Sequence, residues 1–195
     1  MATDTTNAHA ELQAAEKELE ALRRRVVELR RKAGAQTVGD YTLKDPDGNP
    51  VQLSSLFGDR NDLIIIHNMG RGCRYCTLWA DGFTGFLPHI EDRAAFAVVS
   101  PDEPSVMKAF AEGRGWTFRI LSNHGGTFTR DVGFENDGKV SPGVSTFHRD
   151  PDGTIRRVGC AVFGPGDDFC AIWHIFDLLD NGPDGWEPQY SYAGA

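Results

Sequence analysis

The sequence predicts an α/β fold in which a mixed central sheet carries helices on both faces. Two short apolar segments, residues 63–66 and 94–99, are typical of buried strands, and each is followed by a helical pattern. This alternation of strand and helix is typical of a parallel βαβ unit. Two Asp-Pro-Asp-Gly sequences, each between short strand-like segments, add antiparallel hairpins to the same sheet.

Length and composition limit the chain to one folded core. The 195 residues suffice for one ordinary domain and about thirty further residues. Hydrophobic residues make up 40% and charged residues 25%, close to the average of a globular domain, which excludes a wholly disordered or collagen-like chain. We expect a charged helix at residues 1–33, a domain at residues 34–180 and an irregular tail at residues 181–195.

Charge and hydropathy restrict the partners. No apolar run approaches the roughly 20 residues of a membrane span, and the N-terminus lacks the pattern of a secretory signal, so we expect a cytoplasmic protein. The net charge of −8 is uneven, with +1 in residues 1–33 and −9 in the remainder. A nucleic-acid binder needs a basic face, and the basic cluster of the first helix lacks interleaved aromatic residues. We therefore expect neither a nucleic-acid nor a membrane partner.

The first helix is predicted for residues 8–33 from a heptad pattern of apolar residues. Acidic residues crowd its first half and basic residues its second half, which fits the helix macrodipole, and Gly34 ends it. About three heptads are only marginally stable alone, so the stripe must pack on the chain's own domain or on a second copy. Its members are Leu12, Ala15, Leu19, Leu22, Val26, Leu29 and Ala33.

A homodimer through this helix would favour antiparallel pairing. In that arrangement Glu16 and Glu18 would face Arg30 and Lys32, whereas a parallel pair would oppose Arg25 to Arg30. An accessory helix that lies on its own domain is an equally acceptable outcome.

The later elements follow from turn signals and periodicity in chain order. Strands at residues 41–44 and 51–53 flank the first Asp-Pro-Asp-Gly turn, and the helix after strand 63–66 is expected to run from Cys73 toward Pro88. Beyond strand 94–99 we expect a helix at 104–112, an edge strand at 118–121, a helical turn at 126–132, a hairpin of 144–148 with 154–162, and a helix from an N-cap at Asp167 to about Leu179.

The motif that carries chemistry is Cys73-Arg-Tyr-Cys76, which follows a buried strand and opens a helix. Two intervening residues on a helical turn bring the sulfurs close enough to bond, and the helix N-terminus stabilises a thiolate on Cys73. Arg71 and Arg74 are expected to add positive charge. The expected chemistry is attack by Cys73 on a disulfide or peroxide, followed by resolution by Cys76.

Other titratable residues near the motif have alternative interpretations. His67, six residues before Cys73, could relay a proton or could be an ordinary core histidine with a backbone partner. Cys73, Cys76 and a histidine could bind zinc, but no second CxxC and no HxxxH follow, so we expect no metal and no cofactor. Cys160 and Cys170 are expected to be small buried hydrophobes.

Several segments carry a family resemblance: Val51-Gln-Leu-Ser-Ser-Leu-Phe-Gly, residues 63–66, Gly72-Cys-Arg-Tyr-Cys-Thr-Leu-Trp-Ala-Asp-Gly-Phe-Thr-Gly and Gly115-Trp-Thr-Phe. Over about residues 11–180 the chain resembles the bacterial thioredoxin-like family DUF899, which has no settled activity. The resemblance implies a thioredoxin-like fold with the hairpins of peroxiredoxin-like and TlpA-like cytochrome-maturation proteins, and with an extra N-terminal helix. Fold alone does not fix function.

Departures from better-known relatives refine the expected activity. Thioredoxins carry a tryptophan directly before the first cysteine and a buried carboxylate six residues before it, where this chain has Gly72 and His67. Their cis-proline, which faces the dithiol, would fall at Pro142 or Val144. Peroxiredoxins carry a proline seven residues before the peroxidatic cysteine and a Thr or Ser three residues before it. If Cys73 is that cysteine, these two positions are held by Ile66 and Gly70, so the pattern is absent.

Trp79 and Asp81 lie in the segment most specific to the family. Trp79 is expected to pack in the core as a neighbour of the site, and Asp81 to be solvated or to cap the helix.

The sequence thus predicts a thiol-disulfide oxidoreductase that acts on a protein or small-molecule disulfide and depends on an unidentified reductant. The alternatives are a non-catalytic interaction protein, dimerised by its first helix, and a peroxiredoxin-like peroxide reductase or a metal-binding protein.

Overall fold

A computed structural model of the chain describes residues 2–193, with side chains from residue 7 onward. The chain divides into two compact units after Gln36. The first is built from α1 (Ala2–Lys32), whose last turn is basic, and Gly34 beyond it adopts a positive φ of 83°. The predicted helix is confirmed and begins earlier than the heptad pattern indicated.

The second unit is organised around an eight-stranded mixed sheet. Its strands are β1 (Gln36–Val38), β2 (Thr42–Lys44), β3 (Pro50–Gln52), β4 (Asp62–His67), β5 (Ala95–Ser100), β6 (Ile120–Ser122), β9 (Gly143–Arg149) and β10 (Ile155–Val162), in the order β1-β10-β9-β4-β5-β6-β2-β3. Strands β4, β5 and β6 are parallel, β9 and β10 form an antiparallel hairpin beside β4, and β2 and β3 form another beside β6. This is the mixed α/β, thioredoxin-like arrangement that the sequence predicted.

The helices and one further strand pair connect the strands of this sheet. A separate two-stranded pair consists of β7 (Glu135–Asn136) and β8 (Lys139–Val140), which the sequence analysis did not predict. The helices of this unit are α2 (Arg74–Arg93), α3 (Pro104–Arg114), α4 (Phe128–Asp131) and α5 (Ala171–Phe176), with a 3-10 helix at Leu53–Phe57. Within residues 2–193, every helix is too short or too polar to cross a membrane.

Three predictions about these elements are wrong. Helix α2 continues through Pro88 to Arg93, and Leu87 and Ile90 on either side of the proline both pack into the core. The strand predicted at an edge is internal, since β2 pairs with β6 on the side away from β5. Helix α5 begins only after Cys170, because the Asp167 carboxylate instead accepts hydrogen bonds from the amides of residues 164 and 169 in a loop.

The two remaining cysteines are less buried than predicted. Cys160 is exposed on β10, a strand next to the sheet edge in which only the first of eight residues is buried. Cys170 is half-buried, and burial raises the pKa of its thiol.

The core consists of two clusters, one on each face of the sheet. Side chains of β4 alternate between them, with Leu63 and Ile65 on one face and Ile64 and Ile66 on the other. The Phe147 cluster also contains Leu43, Leu53, Phe57, Phe128 and Phe134. The Trp79 cluster also contains Cys76, Leu87, Phe96, Met107 and Trp173, and it is the cluster in which α2 packs.

His67 ends β4 and belongs to the Phe147 side of the sheet. Its side chain is 1% exposed, its ring stacks on Phe134 at 4.0 Å between centroids, and its Nε2 lies 2.9 Å from the Ser145 hydroxyl. The hydrogen-bond partner of His67 is thus a side chain, and not the backbone group that we expected. Burial, with a smaller contribution from the positive charge of Arg157, lowers the pKa of His67 to about 3, so the imidazole is neutral at neutral pH.

This burial should make the stability of the fold depend on pH. Below about pH 6.5 the unfolded chain binds a proton at His67, whereas the folded chain binds it only below about pH 3. The free energy of unfolding therefore decreases as the pH falls through that range. The expected slope is up to about 1.4 kcal/mol per pH unit. Urea unfolding at pH 7 and pH 5 should show this loss in the wild type and in His89→Gln, an exposed control, but a smaller loss in His67→Gln. Equal losses in all three proteins would contradict the assignment.

Candidate dithiol site

The loop before the first cysteine is fixed by the ends of β4 and β5, which meet at one edge of the sheet because the strands are parallel. The amide of Gly70 donates to Asn68 Oδ1 at 2.7 Å, and the amide of Arg71 donates to Asp102 Oδ2 at 2.7 Å. Gly70 has a φ of +95°, and a Cβ there would lie 2.9 Å from the Asp102 carboxylate. The loop therefore requires glycine at this position, and Asp102 holds it in place.

Cys73 is the N-cap of α2. Its backbone is extended, with φ −106° and ψ 103°, and its Sγ accepts a hydrogen bond from the amide of Cys76 at 3.1 Å. A sulfur thus takes the role that a Ser, Thr or Asp oxygen usually fills at a helix N-terminus. Cys76, in the first turn, is 3% exposed, and its sulfur accepts from the amide of Met69 at 3.4 Å.

The two thiols have opposite pKa shifts. The Cys76 thiol donates a hydrogen bond to the Cys73 sulfur, and the amides of Cys76 and Tyr75 assist it, which lowers the pKa of Cys73 to about 7 despite partial burial. The same hydrogen bond, followed by burial, raises the pKa of Cys76 well above its ordinary value. At neutral pH the half-buried Cys73 is therefore partly a thiolate, while the buried Cys76 keeps its proton.

The arginines contribute differently from the sequence expectation. The guanidinium of Arg74 pairs with the carboxylate of Glu187 and lies 5.7 Å from the ring centroid of Tyr75. Arg71 is exposed, and its backbone amide makes the contact to Asp102. The lowered pKa of Cys73 is explained by the Cys76 thiol and the helix amides, because the charge of Arg74 is already compensated.

The C-terminal tail is anchored at the residues between the two cysteines. Glu187 binds Arg74 through one carboxylate oxygen and accepts from the Tyr75 hydroxyl at 3.0 Å through the other. Next to it, the Trp186 ring packs against Trp173 and Phe176, with centroids 6.0 and 4.9 Å apart. Sequence reasoning missed Glu187, because an acidic residue in an irregular segment more than a hundred residues away carries no pattern.

Trp79 and Asp81 hold α2 in place. Trp79 is buried in the cluster named after it and packs against Tyr75, Phe163 and Trp173. Asp81 pairs with Arg114 of α3 and accepts from the Trp116 indole at 2.8 Å. The expectation of a solvated or capping Asp81 is wrong, because it ties α2 to the end of α3.

Pro142 lies next to the strand position that pairs with His67. Pro142 directly precedes Gly143, which pairs with His67 across β9 and β4. Every peptide bond in residues 2–193 is trans, so Pro142 has no cis-proline geometry, and the analogy to thioredoxin substrate docking is weakened. Val144, the other candidate position, packs on the Trp79 cluster together with Cys73.

Across the described side chains, no three His, Cys, Asp or Glu residues are grouped so that they could hold a metal ion.

The hydrogen bond between the thiols can be tested through the reactivity of Cys73. Alkylation of the reduced protein by iodoacetamide, mapped to Cys73 by mass spectrometry, should inflect near pH 7 instead of near 9.0. Cys76→Ala removes the donor and should raise this inflection by about one to two pH units, because a hydrogen bond to a charged group contributes about 1.5–3 kcal/mol. An inflection that Cys76→Ala leaves unchanged would contradict the assigned bond.

The loop geometry can be tested with two glycines that lie two residues apart. Gly70→Ala should lower the free energy of unfolding by about 1–3 kcal/mol, because the positive φ and the contact with Asp102 both oppose a side chain. Gly72→Ala is the matched control, since a Cβ there meets no atom within 4 Å, and its cost should stay within about 0.5 kcal/mol. Urea denaturation measures both, and equal costs would refute the special role of Gly70.

The chain matches a bacterial family of unknown function and is similar to proteins named as peroxiredoxins. The family model for "Bacterial protein of unknown function (DUF899)" matches residues 2–193. Peroxiredoxin Q of Gentiana triflora chloroplasts is 29% identical over 128 residues, which is 64% of this chain and 58% of that protein. The chain thus spans less than two thirds of the length of this relative. A Mycobacterium tuberculosis protein named as a peroxiredoxin is 32% identical over 122 residues, which is 59% of this chain and 76% of that protein.

Solved structures agree on the fold. The crystal structure of peroxidoxin BcpB from Mycobacterium tuberculosis superposes with a TM-score of 0.55 at 26% identity, covering 70% of this chain and 88% of that one. Prx3 of Vibrio vulnificus gives the same TM-score at 19% identity, covering 68% and 88%. The chain belongs to the bacterial DUF899 family, is related to peroxiredoxins and has a thioredoxin-like fold.

Proposed function

We propose that the protein is a thiol-disulfide oxidoreductase with Cys73 as nucleophile and Cys76 as resolving cysteine. The observation that carries this proposal is the Cys73 sulfur at the N-terminus of α2, with a pKa of about 7 and the Cys76 thiol as its hydrogen-bond donor. A thiol whose pKa lies near the ambient pH combines a large thiolate fraction with high nucleophilicity.

The proposed reaction balances over two exchanges. The Cys73 thiolate attacks one sulfur of the substrate disulfide, forms a mixed disulfide and expels the other sulfur as a thiolate, which takes up a proton. Cys76 then attacks the Cys73 sulfur, loses its proton to the departing thiolate, and leaves a Cys73–Cys76 disulfide with two substrate thiols released. A dithiol reductant returns the protein to its starting state, and we place this cycle in the cytoplasm, where such reductants are maintained.

We propose that His67 takes no part in proton transfer. Its pKa of about 3 keeps it neutral, and its ring is held in the Phe147 cluster by Ser145 and Phe134. In the described residues, the sulfur of Cys76 interacts with Cys73 and with the amide of Met69. Proton release from Cys76 is therefore proposed to occur directly to the leaving thiolate.

Peroxide reduction is a second candidate, favoured by the relatives named as peroxiredoxins. The Cys73 thiolate would attack the peroxide O–O bond to give a sulfenic acid and release water or an alcohol, and Cys76 would condense with it to the same disulfide, releasing water. Counted from Cys76, the Thr/Ser position of the peroxiredoxin pattern falls on Cys73. Burial and the raised pKa of Cys76 nevertheless favour Cys73 as the attacking group.

Turnover of hydroxyethyl disulfide and of hydrogen peroxide, each with dithiothreitol as reductant, tests both candidates. We expect Cys73→Ser to lower disulfide turnover by about a thousandfold or more, and Cys76→Ser to accumulate the mixed disulfide at Cys73. Cys160→Ser is the matched control, because it makes the same chemical change at an exposed cysteine and should leave the rate unchanged.

The substrates separate the outcomes. Turnover of peroxide without turnover of the disulfide would replace the first candidate by the second. Turnover of neither, or full activity in Cys73→Ser, would refute the enzymatic proposal and leave a non-catalytic interaction protein.

A further inference from the structure

Helix α1 carries a stripe of large apolar side chains that are exposed to solvent. The stripe residues are between 36% and 57% exposed, although each is of a type that normally lies in a core. They are Leu12, Leu19, Leu22, Val26 and Leu29. A 31-residue helix with such a stripe is stabilised mainly by packing of its apolar face, so we expect the stripe to pack against a partner.

The stripe has the two-position repeat of a coiled coil. Leu12, Leu19 and Val26 occupy the a positions, and Ala15, Leu22 and Leu29 the d positions. When two copies run antiparallel, an a residue of one helix packs against a d residue of the other. The register that keeps every layer apolar sets Leu12 against Leu29, Ala15 against Val26, and Leu19 against Leu22 of the other copy.

Charges beside the seam complement each other in this register. On one flank, Glu11 of one helix meets Lys32 of the other, and Glu18 meets Arg25. This register replaces the first expectation, in which Glu16 and Glu18 faced Arg30 and Lys32. Because the arrangement is two-fold symmetric, each attraction occurs twice.

The parallel arrangement lacks this complementarity. In a parallel coiled coil each g residue meets the e residue five positions later in the partner. Glu11 would then meet Glu16 and Arg25 would meet Arg30, both repulsive, while only Glu18 would gain an opposite charge at Arg23. The charge pattern therefore distinguishes between the two orientations of a second copy.

We propose that the exposed face of α1 binds α1 of a second copy, forming an antiparallel homodimer whose two-fold axis passes between Leu19 and Leu22. This interface is independent of the dithiol chemistry, because it uses only residues of the first compact unit.

Sedimentation equilibrium of the full-length protein over a concentration series tests the dimer and its orientation. The wild type should be a dimer at the upper concentrations. Arg25→Glu should weaken it by about tenfold in dissociation constant, because two attractions with Glu18 become repulsions. The double variant Glu18→Arg/Arg25→Glu should restore the wild-type constant, since the swapped charges again meet opposite signs.

The same variants behave differently in the other arrangements. In a parallel dimer, Arg25→Glu would relieve the repulsion with Arg30 and tighten association, which would overturn the proposed orientation. Lys17→Glu controls for net charge, because residue 17 lies on the outer face of the helix and its variant should match the wild type. A wild type that stays monomeric throughout the series would overturn the dimer itself, whatever the outcome of the redox assays.

Discussion

The account depends on one hydrogen bond, in which the Cys76 thiol donates to the Cys73 sulfur at the start of α2. That bond, together with the amides of the first turn, lowers the pKa of Cys73 and raises the pKa of Cys76. The two cysteines thereby acquire different roles before any substrate arrives. The neighbouring arginines are not needed for this division, since Arg74 is paired with Glu187.

The rest of the second unit holds this pair in position. The loop before Cys73 is fixed by Asn68 and Asp102, which extend from the ends of two adjacent parallel strands. Helix α2 packs into the core through its own residue Trp79, and the pair of Asp81 with Arg114 connects it to α3. From the tail, Glu187 fixes the two side chains between the cysteines. The dithiol is thus supported by three parts of the chain that are distant in sequence, at Asp102, Arg114 and Glu187, which is how a precise site is built on a rigid scaffold.

Local chemistry was predictable from the sequence, and long-range contacts were not. The buried strand before Cys73 and the helix after it follow from apolar patterning, and the family resemblance supplied the fold. The prediction that Arg74 activates Cys73 failed because its partner Glu187 is remote in sequence. His67 could be placed near the motif, but the side of the sheet that its ring occupies depends on strand register, and this side separates it from α2. Asp167 met the compositional requirement for an N-cap, yet its carboxylate is engaged in the preceding loop.

The most direct test of the central claim is to quench the protein during turnover and map its disulfides by mass spectrometry. The account predicts one dominant new bond between Cys73 and Cys76, with Cys160 and Cys170 remaining as thiols. A stable oxidised product that leaves Cys76 as a free thiol, or a disulfide between Cys73 and any other cysteine, would contradict it.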